Sequence, residues 1–185
     1  GAIVFDRHDR EELHVHFEPC NQCMRCLKVA PAGSLKIDPV NASSFQEACA
    51  ISTAITLSTF AKDKATHLAL ATHMTPVCDC FGFTSMPIMH DAGIFGSDDI
   101  VALDTAVLDA TANFKLFVEN LPTSMEPQNN GGHPFAQLHG IYKDPYNIVR
   151  FGEKLGLGSS QYDLVDVLPV EDRGPGVNSY YISAS

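Results

Sequence analysis

The sequence predicts an α/β domain in which strands alternate with helices, with a cysteine loop inserted near the N-terminus. Three observations lead there. Short stretches with two-residue alternation or buried-strand character are separated by longer stretches with helical spacing. Three cysteines, Cys20, Cys23 and Cys26, interrupt that pattern before the first helix. The chain has 185 residues, 45% of them hydrophobic, enough for one domain with a proper core.

Taken in order, Leu13, Val15 and Phe17 alternate with His14, His16 and Glu18, which predicts a half-buried strand over 12–18. The cysteine loop follows, then a short strand over 34–38 that ends at Pro39. Three segments are expected: 1–40, which holds the cysteine loop, 41–170, the α/β domain, and 171–185, a C-terminal arm that opens with Gly174-Pro175-Gly176. A helix starts near Ser43 or Ser44, where Gln46 or Glu47 completes a capping box, and runs to Ala61. It is apolar nearly all round (Ala48, Ile51, Ile55, Leu57, Phe60), so burial on most sides is expected. A buried strand is expected over 66–72, then a Pro- and Gly-rich loop over 73–97, of the long kind that usually carries function. A second helix spans 99–114 with Ser97 or Asp98 as its cap. Asp104 falls on its apolar stripe, where hydrogen bonds to amides of the preceding loop would satisfy it. A third helix has Asp144 as cap, Pro145 at its first position and Gly156 as its stop. A closing strand is expected over 162–170.

The chemistry lies in the cysteines. Cys20, Cys23 and Cys26 reproduce most of the run C-x2-C-x2-C-x3-C-P found in bacterial ferredoxins, with Pro31 in place and Ala30 where the fourth cysteine would stand. In two-cluster ferredoxins that fourth cysteine serves the other cluster, so its loss leaves three local ligands for one 4Fe-4S cluster, which needs one remote thiolate. Cys49 is the first choice, near the start of a helix whose partial positive charge favours a thiolate; a packed core thiol is the plain alternative. Cys78 and Cys80 are the other sources. They could complete that cluster, ligate a possible second metal centre together with a partner chain, form a redox dithiol, or be two buried thiols in a tight loop. A structural zinc site is the competing reading of the triplet, although zinc ribbons usually supply two C-x2-C pairs. His90 and Asp91 are candidates for a proton donor and its orienting carboxylate, against a loop brace and a solvated imidazole. His14, His16, His67 and His73 lack metal-site spacing and read as structural, and His133 and His139 are too far apart to make a motif.

The run Thr75-Pro76-Val77-Cys78-Asp79-Cys80, then Pro87-Ile88, then 91–104 from Asp91-Ala92-Gly93-Ile94 to Asp104, resembles the domain of unknown function 362 family of iron–sulfur proteins. Residues 153–159 and 162–164 continue the likeness, which spans about 20–167. Members of that family commonly carry two ferredoxin motifs and a whole α/β half before them; this chain has one motif and no such half. The resemblance implies that the missing half is a separate subunit, or was cleaved or lost, and that one cluster went with the fourth cysteine. It supports redox work without naming a substrate.

The formal net charge is -10, from 12 basic and 22 acidic side chains, and no basic run is long, which argues against nucleic acid or an anionic membrane as partner. No apolar stretch reaches the roughly 18 residues of a membrane span. No secretory signal is present, and with six cysteines that favours metal ligation in the cytoplasm over a disulfide framework. The first residue is Gly1, so a processed product or a fragment is one reading of the chain. The expected function is that of an iron–sulfur electron-transfer subunit in a larger hetero-oligomeric oxidoreductase. The alternatives are a catalytic reductase half-site, whose loop from Cys78 to Asp91 lines a substrate pocket, and a structural zinc module.

Overall fold

The computed structural model describes residues 3–6, 12–15, 26, 29–31, 34–35, 39–61, 63–78, 82, 84–121, 127, 131–139, 143–167 and 179–184. The chain divides into two compact units, Gly1–Ile37 and Asp38–Ser185. No helix among the described residues is long and apolar enough to cross a membrane.

The first unit holds an antiparallel hairpin, β1 (Ile3–Asp6) with β2 (Glu12–Val15), in a register that sets Ile3 opposite Val15 and Asp6 opposite Glu12. The alternation over 12–18 marks β2 in part; residues 16–18 lie outside the described residues. The sequence pattern does not predict β1. Where a strand is expected over 34–38, Ser34 lies in a turn, because its amide and hydroxyl both donate to the Pro31 carbonyl, at 3.0 and 2.7 Å; residues 36–38 lie outside the described residues. A serine hydroxyl that bonds nearby backbone competes in this way with extended structure.

The second unit is a mixed α/β fold. Its four-stranded sheet has the order β3 (His67–Ala71), β4 (Gly93–Ser97), β6 (Ser179–Ala184), β5 (Tyr162–Asp166). β3 with β4 and β5 with β6 are antiparallel; β4 with β6 is parallel. Residues 179–184, expected in a C-terminal arm, are therefore an interior strand. The Gly-Pro-Gly at 174–176 reads locally as the end of the fold, whereas the hydrogen-bonding edges of β4 and β5 are tertiary features that only the folded sheet presents.

Helix α2 (Ile100–Thr111) covers one face of the sheet. Ala102, Leu103 and Ala106 meet Ala71, Ala92 and the fully buried Phe95. The other side of α2, Val101 and Leu108, packs on Val149 of α4 (Asn147–Lys154), with Phe135, Tyr146 and Leu157 around them. The opposite face of the sheet carries the exposed Leu68, Leu70 and Ile94, so β3 is buried on one face only, by its two-residue alternation, and not throughout.

Helix α1 (Pro39–Leu57) starts four to five residues before the expected capping boxes, with Pro39 at its first position. Gln46 is not a capping residue: its amide donates to the Asp144 carbonyl at 2.8 Å and its oxygen accepts from Asn147 Nδ2. The expectation of burial on most sides fails. Ala50 is buried, while Val40, Phe45, Ile51 and Ile55 are exposed, because α1 rests on α4 along one side. The cap of α2 is Asp99, one residue past the expected Asp98, and α4 ends where expected, with Gly156 at φ 72° after its last turn. A short helix, α3 (Pro134–His139), has no counterpart in the sequence pattern.

Candidate functional site

Cys26 opens one helical turn: its carbonyl accepts from the Ala30 amide at 3.0 Å, and its thiol is free and exposed. The position is open to a ligand. Cys20 and Cys23 lie outside the described residues, so the triplet is described by its spacing in the sequence and not by its arrangement. Three thiols at two-residue spacing, one of them on an exposed turn, suit a soft iron–sulfur group.

Cys49 is half-buried in α1, and its carbonyl accepts from Thr53 Oγ1 at 3.0 Å. With the helix starting at Pro39, Cys49 sits in the third turn. The field of a helix end falls off within the first turn, so the dipole argument for a thiolate there no longer holds.

The loop between β3 and β4 is held along both limbs. The Ala92 amide donates to the Ala71 carbonyl at 2.8 Å and the Ile88 amide to the Met74 carbonyl at 2.9 Å. The Phe117 amide donates to the Ile88 carbonyl at 2.7 Å, and Asn120 Nδ2 to the Pro87 carbonyl at 2.7 Å. Ile88 and Met89, on the returning limb, are buried. Cys78 is exposed on this loop; Cys80 lies outside the described residues. Asp91 Oδ1 accepts the amide of His73 at 2.7 Å, which supports the left-handed backbone of His73 at φ 50°. Asp91 thus braces the loop. His90 is exposed, with its ring edge-on to Phe117 at 4.8 Å. Among the described residues no three His, Cys, Asp or Glu side chains are grouped to hold a metal ion.

Asp99 takes the role expected of Asp104. Its Oδ1 accepts from the Val101 and Ala102 amides at 2.8 and 2.9 Å, and its Oδ2 from the Ser159 amide at 2.9 Å. Asp104 lies on the side of β3, where burial raises its carboxyl above the usual carboxylate value and the charge of His67 partly offsets the rise.

Sequence reasoning misses a polar cluster at the far end of α2. Asp109 accepts the phenols of Tyr146 and Tyr162, each at 2.8 Å, tying α2 to the approach to α4 and to β5. Burial and the Asp109 carboxylate push both phenols up, Tyr162 to about 12. Beside them His133 lies edge-on to Tyr146, its ring bonded to the Leu108 carbonyl at 3.0 Å. These residues are 24 to 53 positions from Asp109, beyond any local pattern; only His133-Pro134, a cap followed by proline, is a visible signal.

No family model, no curated protein and no solved structure matches this chain.

Proposed function

We propose that the chain is an iron–sulfur redox protein, an electron-transfer subunit of a larger oxidoreductase. The observation that carries this reading is the spacing of Cys20, Cys23 and Cys26 with Pro31 behind them, combined with the exposed turn on which Cys26 sits. Cys20, Cys23 and Cys26 would hold a 4Fe-4S cluster with one further cysteine, Cys49, Cys78 or Cys80, as the fourth ligand. When bound, the cluster supplies one-electron transfer. The chain would set its potential through burial and through amide hydrogen bonds to sulfur. The acidic surface, with a net charge of -10, suits docking to a basic patch on a protein partner.

Purification without oxygen, followed by iron and sulfide analysis and electron paramagnetic resonance of the reduced protein, tests this. The reading expects a brown protein with about four irons and four sulfides per chain. One zinc ion per chain with no sulfide would sink it in favour of the structural module. Single Cys→Ala changes at 49, 78 and 80 then identify the remote ligand: the one that costs cluster occupancy is the fourth donor. Asp91 Oδ1 accepts the His73 amide, which fits the loop-brace reading of this residue; a reductase half-site lined by the loop from Cys78 to Asp91 is the alternative function.

A further inference from the structure

His133 uses both ring nitrogens, in opposite senses. Nε2 faces the Leu108 carbonyl at 3.0 Å and Thr111 Oγ1 at 3.3 Å. The carbonyl can only accept, and the Thr111 hydroxyl already donates to the Val107 carbonyl at 2.9 Å, so Nε2 carries the proton. Nδ1 accepts the Phe135 amide at 3.2 Å, and the His133 carbonyl accepts the Gln137 amide at 3.0 Å. His133 is therefore the cap of α3, and its ring also anchors that cap to the last turn of α2. A second proton could go only onto Nδ1, where it would meet an N–H donor and leave the Phe135 amide without its acceptor.

We propose that His133 is a proton-operated latch: the neutral ring holds α3 against the end of α2, and protonation at Nδ1 frees α3. Charges reach the ring from each neighbouring element. Asp109 on α2 and Asp144 before α4 both favour the imidazolium, as does the Leu108 carbonyl; Arg150 is paired with Asp144 at 2.7 Å and moderates it. Tyr146, edge-on to the ring, stays neutral, as does Tyr162, which reaches the group through Asp109. Burial opposes the charge and outweighs them, and His133 is shifted below the ordinary 6.5. The unfolded chain then binds the proton more readily than the folded one. The latch contributes fully above pH 6.5 and is lost as pH falls below that value. Release would uncover Pro134 and Ala136, both buried in the latched state, together with the end of α2 that carries the tyrosine clamp. This device does not depend on the iron–sulfur reading.

Two measurements on the full chain decide it: nuclear magnetic resonance of the His133 ring from about pH 8 to about pH 5, and amide hydrogen exchange of 133–139 over the same range, corrected for intrinsic rates. The His133 midpoint should lie below 6.5. Protection of the Phe135 and Gln137 amides should fall roughly five- to tenfold through the same transition, the change expected for one lost capping bond. His133→Asn retains a side-chain acceptor for Phe135 and does not titrate, so its protection should be flat with pH. A midpoint at or above 6.5, protection unchanged through the wild-type titration, or the same acid loss in His133→Asn would overturn the latch. If His133→Asn does not fold, the two wild-type measurements still decide.

Discussion

Asp99 shows how much one side chain can organise. Its carboxylate caps α2 through two amides and reaches across 60 residues to the Ser159 amide, so it joins the start of the helix to the turn before β5. Asp99→Ala should destabilise the protein by about 2 kcal/mol, the upper range for a lost cap, since the Ser159 amide is stranded as well. Asp99→Asn, which keeps one acceptor oxygen, should cost less; denaturant titration of the two variants checks the order. Gly158 is there for the same reason: a Cβ at that position would overlap the Asp99 carboxylate. Gly158→Ala should therefore be severe in the wild-type background and milder in Asp99→Ala. A thermodynamic cycle measures that coupling, and additive penalties would show that the clash does not govern the site. The tyrosine clamp makes a pH prediction. A phenol with its pKa raised to about 12 is held neutral by the fold, so the stability it lends is whole below pH 10 and declines as pH rises above it. Ultraviolet titration of Asp109→Asn should return the Tyr162 phenol toward its ordinary value of 10.

At the scale of elements, α1 and α2 behave oppositely although both are apolar. α2 has a helix on one side and a sheet on the other, and its apolar residues are used on both. Phe95→Ala beneath it should cost about 3–5 kcal/mol, as for any fully buried aromatic ring. α1 meets α4 along one stripe, and Phe45 and Ile55 are 70% and 64% exposed. Phe45→Ser and Ile55→Ser should shift the stability of the isolated chain by less than about 0.5 kcal/mol in the same denaturant titration. The sequence does not distinguish the two cases, because an apolar stripe states that a residue is able to be buried, not that a neighbour arrives to bury it. Helix ends are easier to locate where a local bond makes them. The stop at Gly156 needs only a left-handed glycine. The start at Pro39 is hidden because Ser43 and Ser44 offer equally good local caps, and the contacts of Gln46 with 144–147 override them.

For the whole molecule, the division into units 1–37 and 38–185 puts the Cys20–Cys26 run and the main core in different compact bodies. Changing Cys20, Cys23 and Cys26 together to Ser should abolish bound iron and sulfide while leaving the principal thermal unfolding transition in place. That transition reports the core of Phe95, Leu103 and Val149, which shares no residue with the cysteine run. Loss of that transition in calorimetry would mean that the second unit depends on the first for its fold.

The amino-acid sequence by itself determined the features that near neighbours set: a mixed α/β chain, the bodies of α2 and α4, the strands at 67–71 and 162–166, the glycine stop, and the cysteine spacing on which the functional proposal rests. Tertiary structure decided what depends on distant partners. It made 179–184 an interior strand, bonded Asp99 to the Ser159 amide, engaged Asp91 with the His73 amide and assembled the Asp109–Tyr146–Tyr162 clamp beside His133. The physical reason is the range of the interaction. Periodicity and turn chemistry act within a few residues along the chain, whereas sheet pairing, burial and the matching of donors to acceptors act between residues that only folding brings together.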